Sequence, residues 1–188
     1  MKTAIDILRD EHKAILGMLD ATEEAARQMQ QQKDVAPEIL SGLLEFFQVF
    51  ADRCHHGKEE DCLFPQLEKR GMPRDGGPIG VMLYEHDQGR ALIRKMAEAS
   101  EIFAAGRKEA GLQWTEAALS YTALLRSHIA KENDVLFVLA DRLLSGSDQA
   151  NLVDAFESIE INNLGAGTHE RLHRLMDKLY VEIFSGRK

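Results

Sequence analysis

The chain has 188 residues, 44% hydrophobic and 29% charged, with a formal net charge of -8 at pH 7. This size and balance predict one soluble globular protein with enough chain for a real core. The acidic excess argues against general binding to nucleic acid or to anionic membranes, so neither is expected as a partner. The residues after Met1 lack the apolar run of a signal peptide, and nowhere is there a run of the roughly 18 apolar residues that a membrane helix needs. The expected compartment is the cytoplasm.

Apolar spacing is helical throughout. A first helix over about 3–32 carries Ile5, Leu8, His12, Ile15, Leu19, Thr22 and Ala26 on one stripe, which sets His12 in the core rather than on the wet face. Pro37 suits the first turn of a second helix that runs to about Arg70, with Pro65 straining its last turns. Gly71 to Pro78 is the clearest loop. A third helix over about 78–105 places Ile79, Met82, His86, Ile93 and Met96 on one stripe. The fourth, about 109–145, carries Tyr121, Leu125, His128, Glu132, Val135 and Leu139, and Ser145-Gly146-Ser147 ends it. Two shorter helices follow, about 148–163 and 168–184, the latter with Thr168 as its N-cap. The expected fold class is all-α: an up-down-up-down four-helix bundle over 1–146 with two additional C-terminal helices over 147–188 packed on it.

Cys54 and Cys62 fall eight residues apart on the second helix. At 1.5 Å per residue they lie about 12 Å apart along the axis, too far to bridge.

One motif is written twice. His55-His56-Gly57-Lys58-Glu59-Glu60-Asp61-Cys62-Leu63-Phe64 and His128-Ile129-Ala130-Lys131-Glu132-Asn133-Asp134-Val135-Leu136-Phe137 share His-x-x-Lys-Glu-x-Asp-x-Leu-Phe at an offset of 73. Glu11-His12 and Glu85-His86 repeat at an offset of 74. Positions i and i+4 of a helix share a face, so His55/Glu59 and His128/Glu132 each aim an imidazole and a carboxylate at one point. Add His12 and His86, one from each remaining helix, and six ligands surround a point in the core. Imidazole suits iron, copper, nickel or zinc, and a carboxylate can bridge two cations. Two octahedral ions would leave positions for water, an oxo or hydroxo bridge, and an exogenous ligand. Buried imidazoles and carboxylates are costly unless coordinated or hydrogen-bonded, which favours a metal site over four coincidences. His56/Glu60 has the same spacing as His55/Glu59, but the second copy has Ile129 and Asn133 there, so the expected register is His55/Glu59. His56, about 100° round the helix, is expected at the surface or one layer out from the ligands.

At these residues the chain resembles the hemerythrin-like (HHE cation-binding) family, over about 3–140. The resemblance implies a bundle holding a non-haem di-iron centre, with His12, His55, His86 and His128 as ligands and Glu59 and Glu132 as bridges. It departs from the oxygen carriers, which have His-x-x-x-His on the third helix and His-x-x-x-x-Asp on the fourth. Here Arg90 and Asn133 stand at those positions. One histidine is therefore missing, which makes redox turnover or NO binding more plausible than reversible oxygen storage.

The last helix contains His169-Glu170-Arg171-Leu172-His173, a His-Glu-x-x-His. A zinc hydrolase built on it is the remote reading. The favoured reading is an amphipathic helix packing through Leu172, Leu175, Met176 and Leu179. A third is that His169 or His173 folds over the metal site as an additional ligand. The expected function is a two-iron protein, oxo- or hydroxo-bridged, that binds or senses O2, NO or a related oxidant such as peroxide. The alternative is a redox enzyme or an iron-sulfur repair or iron-handling protein using the same centre. The ligand set does not exclude zinc or manganese.

Overall fold

The computed structural model describes residues 2–33, 35–165 and 167–185, without the side chains of Asn163, Leu164 and His169. Every regular element among the described residues is helical. The first helix is Ala4–Gln30; Thr3 and Asp6 form a capping box at its start, and Gln32, at φ 56°, turns the chain out of it. The second runs over 37–69: α-helical over Pro37–Phe46, π-wound over Phe47–His56 and Glu59–Leu63, then α-helical over Phe64–Lys69. The third is Pro78–Ala104. The fourth starts as Ala110–Lys131, is π-wound over Glu132–Leu136 and finishes as Phe137–Leu143. The fifth is Gly146–Ile159 with a π-wound end over Glu160–Leu164, and the sixth is Thr168–Phe184.

The π turns were not expected from the periodicity. They carry i→i+5 hydrogen bonds and concentrate at functional sites. Pro65 is not their cause. Glu59–Leu63 and Glu132–Leu136 occupy equivalent places in the two repeats, and Val138 stands in the second repeat where Pro65 stands in the first. Phe64 N–H bonds to the Glu59 carbonyl and Phe137 N–H to the Glu132 carbonyl, so the winding belongs to the repeat itself.

Helices one to four pack on one another, most extensively third on fourth and first on fourth. Their core comes in two parts. One contains Ile15, Leu19, Phe46, Phe47, Trp114, Tyr121 and Leu125. The other contains Ile5, Leu8, Phe64, Ile79, Met82, Leu136 and Phe137. Each repeat histidine lies along its helix between residues of the two parts, so the polar layer interrupts the apolar one.

The C-terminal helices cover both parts. Leu172, Leu179 and Ile183 are buried in the first core part, with Leu175 and Met176 packed against it. Leu152 and Phe156 are buried in the second. This is the amphipathic packing expected of the last helix. Gly42 makes room for it: a Cβ there would come 2.9 Å from Leu179 Cδ2. Two details differ from expectation. Ser145 begins the fifth helix rather than ending the fourth, because its hydroxyl accepts from Asp148 N–H in a capping box. Gly167, at φ 80°, is the N-cap of the sixth, and Thr168 is its first residue. The left-handed conformation required there suits glycine and not threonine.

Candidate metal centre

The six expected ligands come together. His12, His55, His86 and His128 are buried, and Glu59 and Glu132 have no solvent exposure. Two overlapping groups form, each with its ligand atoms within 4.8 Å of one another: His12, His55, Glu59 and Glu132 in one, His56, Glu59, His86 and His128 in the other.

The carboxylates divide their oxygens between the groups. Glu59 Oε1 lies 3.7 Å from His55 Nε2 while its Oε2 lies 3.5 Å from His86 Nε2. Glu132 Oε2 lies 3.1 Å from His12 Nε2 while its Oε1 lies 3.3 Å from His128 Nε2. None of these four oxygens, nor His12 Nε2, has an aligned hydrogen-bond partner. Leaving an ionised carboxylate buried and unpaired costs several kcal/mol, so the layer is unfavourable as it stands and favourable once cations enter it.

The opposite ring nitrogens explain the rest of the repeat. His55 Nδ1 donates to Glu11 Oε2 at 2.8 Å, and His128 Nδ1 donates to Glu85 Oε2 at 3.0 Å. Lys58 in turn holds Glu11, and Lys131 holds Glu85. The Glu-His pairs and the repeat lysines are thus two copies of one Lys–Glu–His chain. The residue after each of these glutamates supports the histidine of the other half: Glu60 accepts from His86 Nδ1 at 2.6 Å, and Asn133 Oδ1 from His12 Nδ1 at 3.1 Å. An Nδ1–H donated to an oxygen leaves Nε2 with its lone pair, the tautomer a metal ligand needs. His86 Nε2 and His128 Nε2 then face each other at 3.1 Å, an arrangement that a cation between them relieves.

The electrostatics agree. Burial raises the Glu59 carboxyl well above its ordinary value, and the Glu132 charge raises it further. Burial acts the same way on Glu132, but His128 and His12 outweigh it and hold that carboxyl well below. Burial lowers His55 to about 4 against the pull of Glu11, so it is neutral at ordinary pH. Burial also lowers His128, yet Glu132 and Glu85 bring it out raised.

His56 is not at the surface. It is 5% exposed, stacked on His86 with ring centroids 3.8 Å apart. The π winding through Phe47–His56 turns each residue by less than the α-helical 100°. Neighbouring histidines can then both face inward. The dyad His55-His56 is itself the sequence sign of this, although the second copy has Ile129 in place of His56.

Arg90, where the carriers have a histidine, is no ligand. Its Nε donates to Asp52 at 2.8 Å and its Nη2 to Glu60 at 2.7 Å. The third cluster of metal-competent groups, Glu11, Cys54 and Glu160, is filled by the Lys58 ammonium, which sits 2.5 Å from Glu160 Oε1. Burial pushes the Cys54 thiol up to about 12, so it stays protonated. Both cysteines are unbridged, as expected. His173 is exposed on the sixth helix and belongs to none of the clusters found among the described residues; the side chain of His169 lies outside them.

A bundle whose buried layer offers imidazoles and shared carboxylates to cations defines a class of metal-binding helical proteins. The Hemerythrin HHE cation binding domain matches residues 3–140, and the chain belongs to that family. It is 24% identical over 176 residues to the uncharacterized protein Rv1995 of Mycobacterium tuberculosis, covering 93% of this chain and 68% of that one. It is 33% identical over 122 residues to the iron-sulfur cluster repair protein DnrN of Neisseria gonorrhoeae, covering 60% of this chain and 73% of that one. With the iron-sulfur cluster repair protein YtfE of Salmonella schwarzengrund it is 32% identical over 107 residues, 54% of this chain and 48% of that one. No helix among the described residues is long and apolar enough to cross a membrane.

Proposed function

We propose that this chain is a cytoplasmic non-haem di-iron protein that binds or senses O2, NO or a related oxidant. Its hemerythrin-like bundle would be up-down-up-down over 1–146, and 147–188 a helical extension packed on it. His12, His55, Glu59, His86, His128 and Glu132 would hold the metals. The observation that carries the reading is the division of Glu59 and Glu132, each with one oxygen toward either histidine group. Carboxylates so placed could each link two cations. Two adjacent irons supply electrons that a bound diatomic can share. The chain's own part is to keep each Nε2 unprotonated through its Nδ1 partner, and to seal the layer between two apolar core parts.

Metal analysis with an absorption spectrum tests this. About two irons per chain and near-ultraviolet charge-transfer bands are expected for a site of this donor set. One metal per chain, or colourless protein holding only zinc, would sink it.

The names of DnrN and YtfE favour a second reading, in which the same centre serves iron-sulfur cluster repair or redox turnover. Stopped-flow mixing of the reduced protein with O2 separates the two. Reversible gas uptake supports binding. Irreversible oxidation on every encounter supports turnover.

A further inference from the structure

The two repeats share His55/His128, Glu59/Glu132 and His12/His86 but diverge in the residues beside them. In the first, Asp52 and His56 stand where the second has Leu125 and Ile129, at the same offset of 73. Across the layer Arg90 stands where the first helix has Leu16, at an offset of 74. Three polar residues thus replace three apolar ones at a single place, and the structure joins them. Arg90 Nε donates to Asp52 Oδ1 at 2.8 Å, and that oxygen lies 3.4 Å from His56 Nδ1.

The five histidines buried among the described residues are therefore treated alike. Each has its Nδ1 on an oxygen of another side chain: Asn133 for His12, Glu11 for His55, Asp52 for His56, Glu60 for His86 and Glu85 for His128. Orienting a ring in this way is the usual support of a metal-ligating histidine. A histidine that only filled space would not need its own carboxylate, braced by an arginine. His56 also shares one ligand-atom group with Glu59, His86 and His128.

We propose that His56 is the fifth histidine of the centre, ligating the metal held by His86 and His128. The assignment rests on the di-iron reading above. Three histidines would then face one metal and two the other, with Glu59 and Glu132 each offering an oxygen toward either side. Ile129 is the apolar counterpart of His56 in the other half. The histidine absent from the third helix is supplied by the second, because π winding brings two successive residues inward. Arg90, at the absent histidine's position, braces both the Asp52 behind His56 and the Glu60 behind His86.

A cavity of about 300 Å³ is lined by His56 together with Phe47, Asp52, Gly89, Arg90 and Tyr121. It is large enough to admit imidazole, which provides a rescue test. In the full-length protein, His56→Ala should weaken one of the two irons about tenfold or more, the scale on which even outer partners of metal ligands act. Added imidazole should restore it. His173→Ala should change neither iron. Wild-type protein should show two inequivalent irons in equal amounts by Mössbauer spectroscopy, a readout that stands even if His56→Ala does not fold. Equivalent irons in the wild type, or unchanged affinity for both in His56→Ala, would overturn the assignment while leaving the di-iron reading in place. A wild-type chain holding a single metal would overturn both.

Discussion

Glu59 and Glu132 are where a single residue decides most. Each lends an oxygen to both histidine groups, whereas His12 serves only one. Glu59→Gln should therefore cost both metals, and His12→Ala mainly one, read as iron per chain. The same substitution separates metal binding from folding. Glu59 is pushed toward its neutral form by burial and by Glu132, so a neutral amide of the same shape changes the metal-free protein little. Thermal unfolding should show Glu59→Gln within about 1 kcal/mol of wild type without metal. It should then gain nothing when iron is added. A large loss in the metal-free state would mean that the Glu59 charge is already neutralised there.

Helices impose a second level of control, because the C-terminal extension breaks the symmetry of the two Lys–Glu–His chains. Lys58 is wholly buried, paired with both Glu11 and Glu160 and lying 5.7 Å from the Phe156 ring centroid. Its counterpart Lys131 keeps 38% of its side-chain exposure and pairs with Glu85. Removing one partner of a buried ion pair costs about 3–5 kcal/mol, and an exposed pair contributes about 1 kcal/mol or less. Denaturant unfolding should accordingly find Lys58→Met far more damaging than Lys131→Met; equal losses would refute the role given to the extension. At Gly42 the atoms nearest an added Cβ are side-chain ends of Leu179 and Leu175. Those ends can shift for a methyl but not for a larger group. Gly42→Ala should be mild, while Gly42→Leu should undock the sixth helix and expose the chain around 165–185 to protease.

For the molecule as a whole, stability is linked to metal and to pH. A ligand that binds only the folded chain stabilises it by about 2.7 kcal/mol at a hundredfold excess over Kd. Chelation should therefore lower Tm in the wild type and leave Glu59→Gln unmoved. The start of the fifth helix gives a separate acid response. Asp148 accepts from Arg70, Gln66 and Ser145, and the Arg70 and Ser145 hydrogen bonds hold its carboxyl well below the ordinary 3.8. Its folded pKa is depressed, so this contribution is complete above the unfolded value and disappears as pH falls through the folded one. Below about pH 4 the fifth helix should loosen from the second before the bundle unfolds, as hydrogen exchange can follow. Asp148→Asn should loosen it already at neutral pH and remove that step.

Helix number and the faces of His12, His55, His86 and His128 could be read from the chain, since helical periodicity is local and the repeat writes the ligand spacing twice. So could the packing face of the sixth helix through Leu172 and Leu179. The winding of the second helix could not. A π turn has no composition of its own, and it is the winding that carries His56 from an expected outer position into the layer. Nor could the partners of the Nδ1 atoms be read. Glu11 meets His55, Asn133 meets His12 and Asp52 meets Arg90 only where helices from distant parts of the chain cross. By itself the sequence determined that six side chains of metal-binding type would face one core. The tertiary structure decided how each is held, that the two halves are not equivalent, and that a fifth histidine faces the same space, because those outcomes depend on the angles between helices.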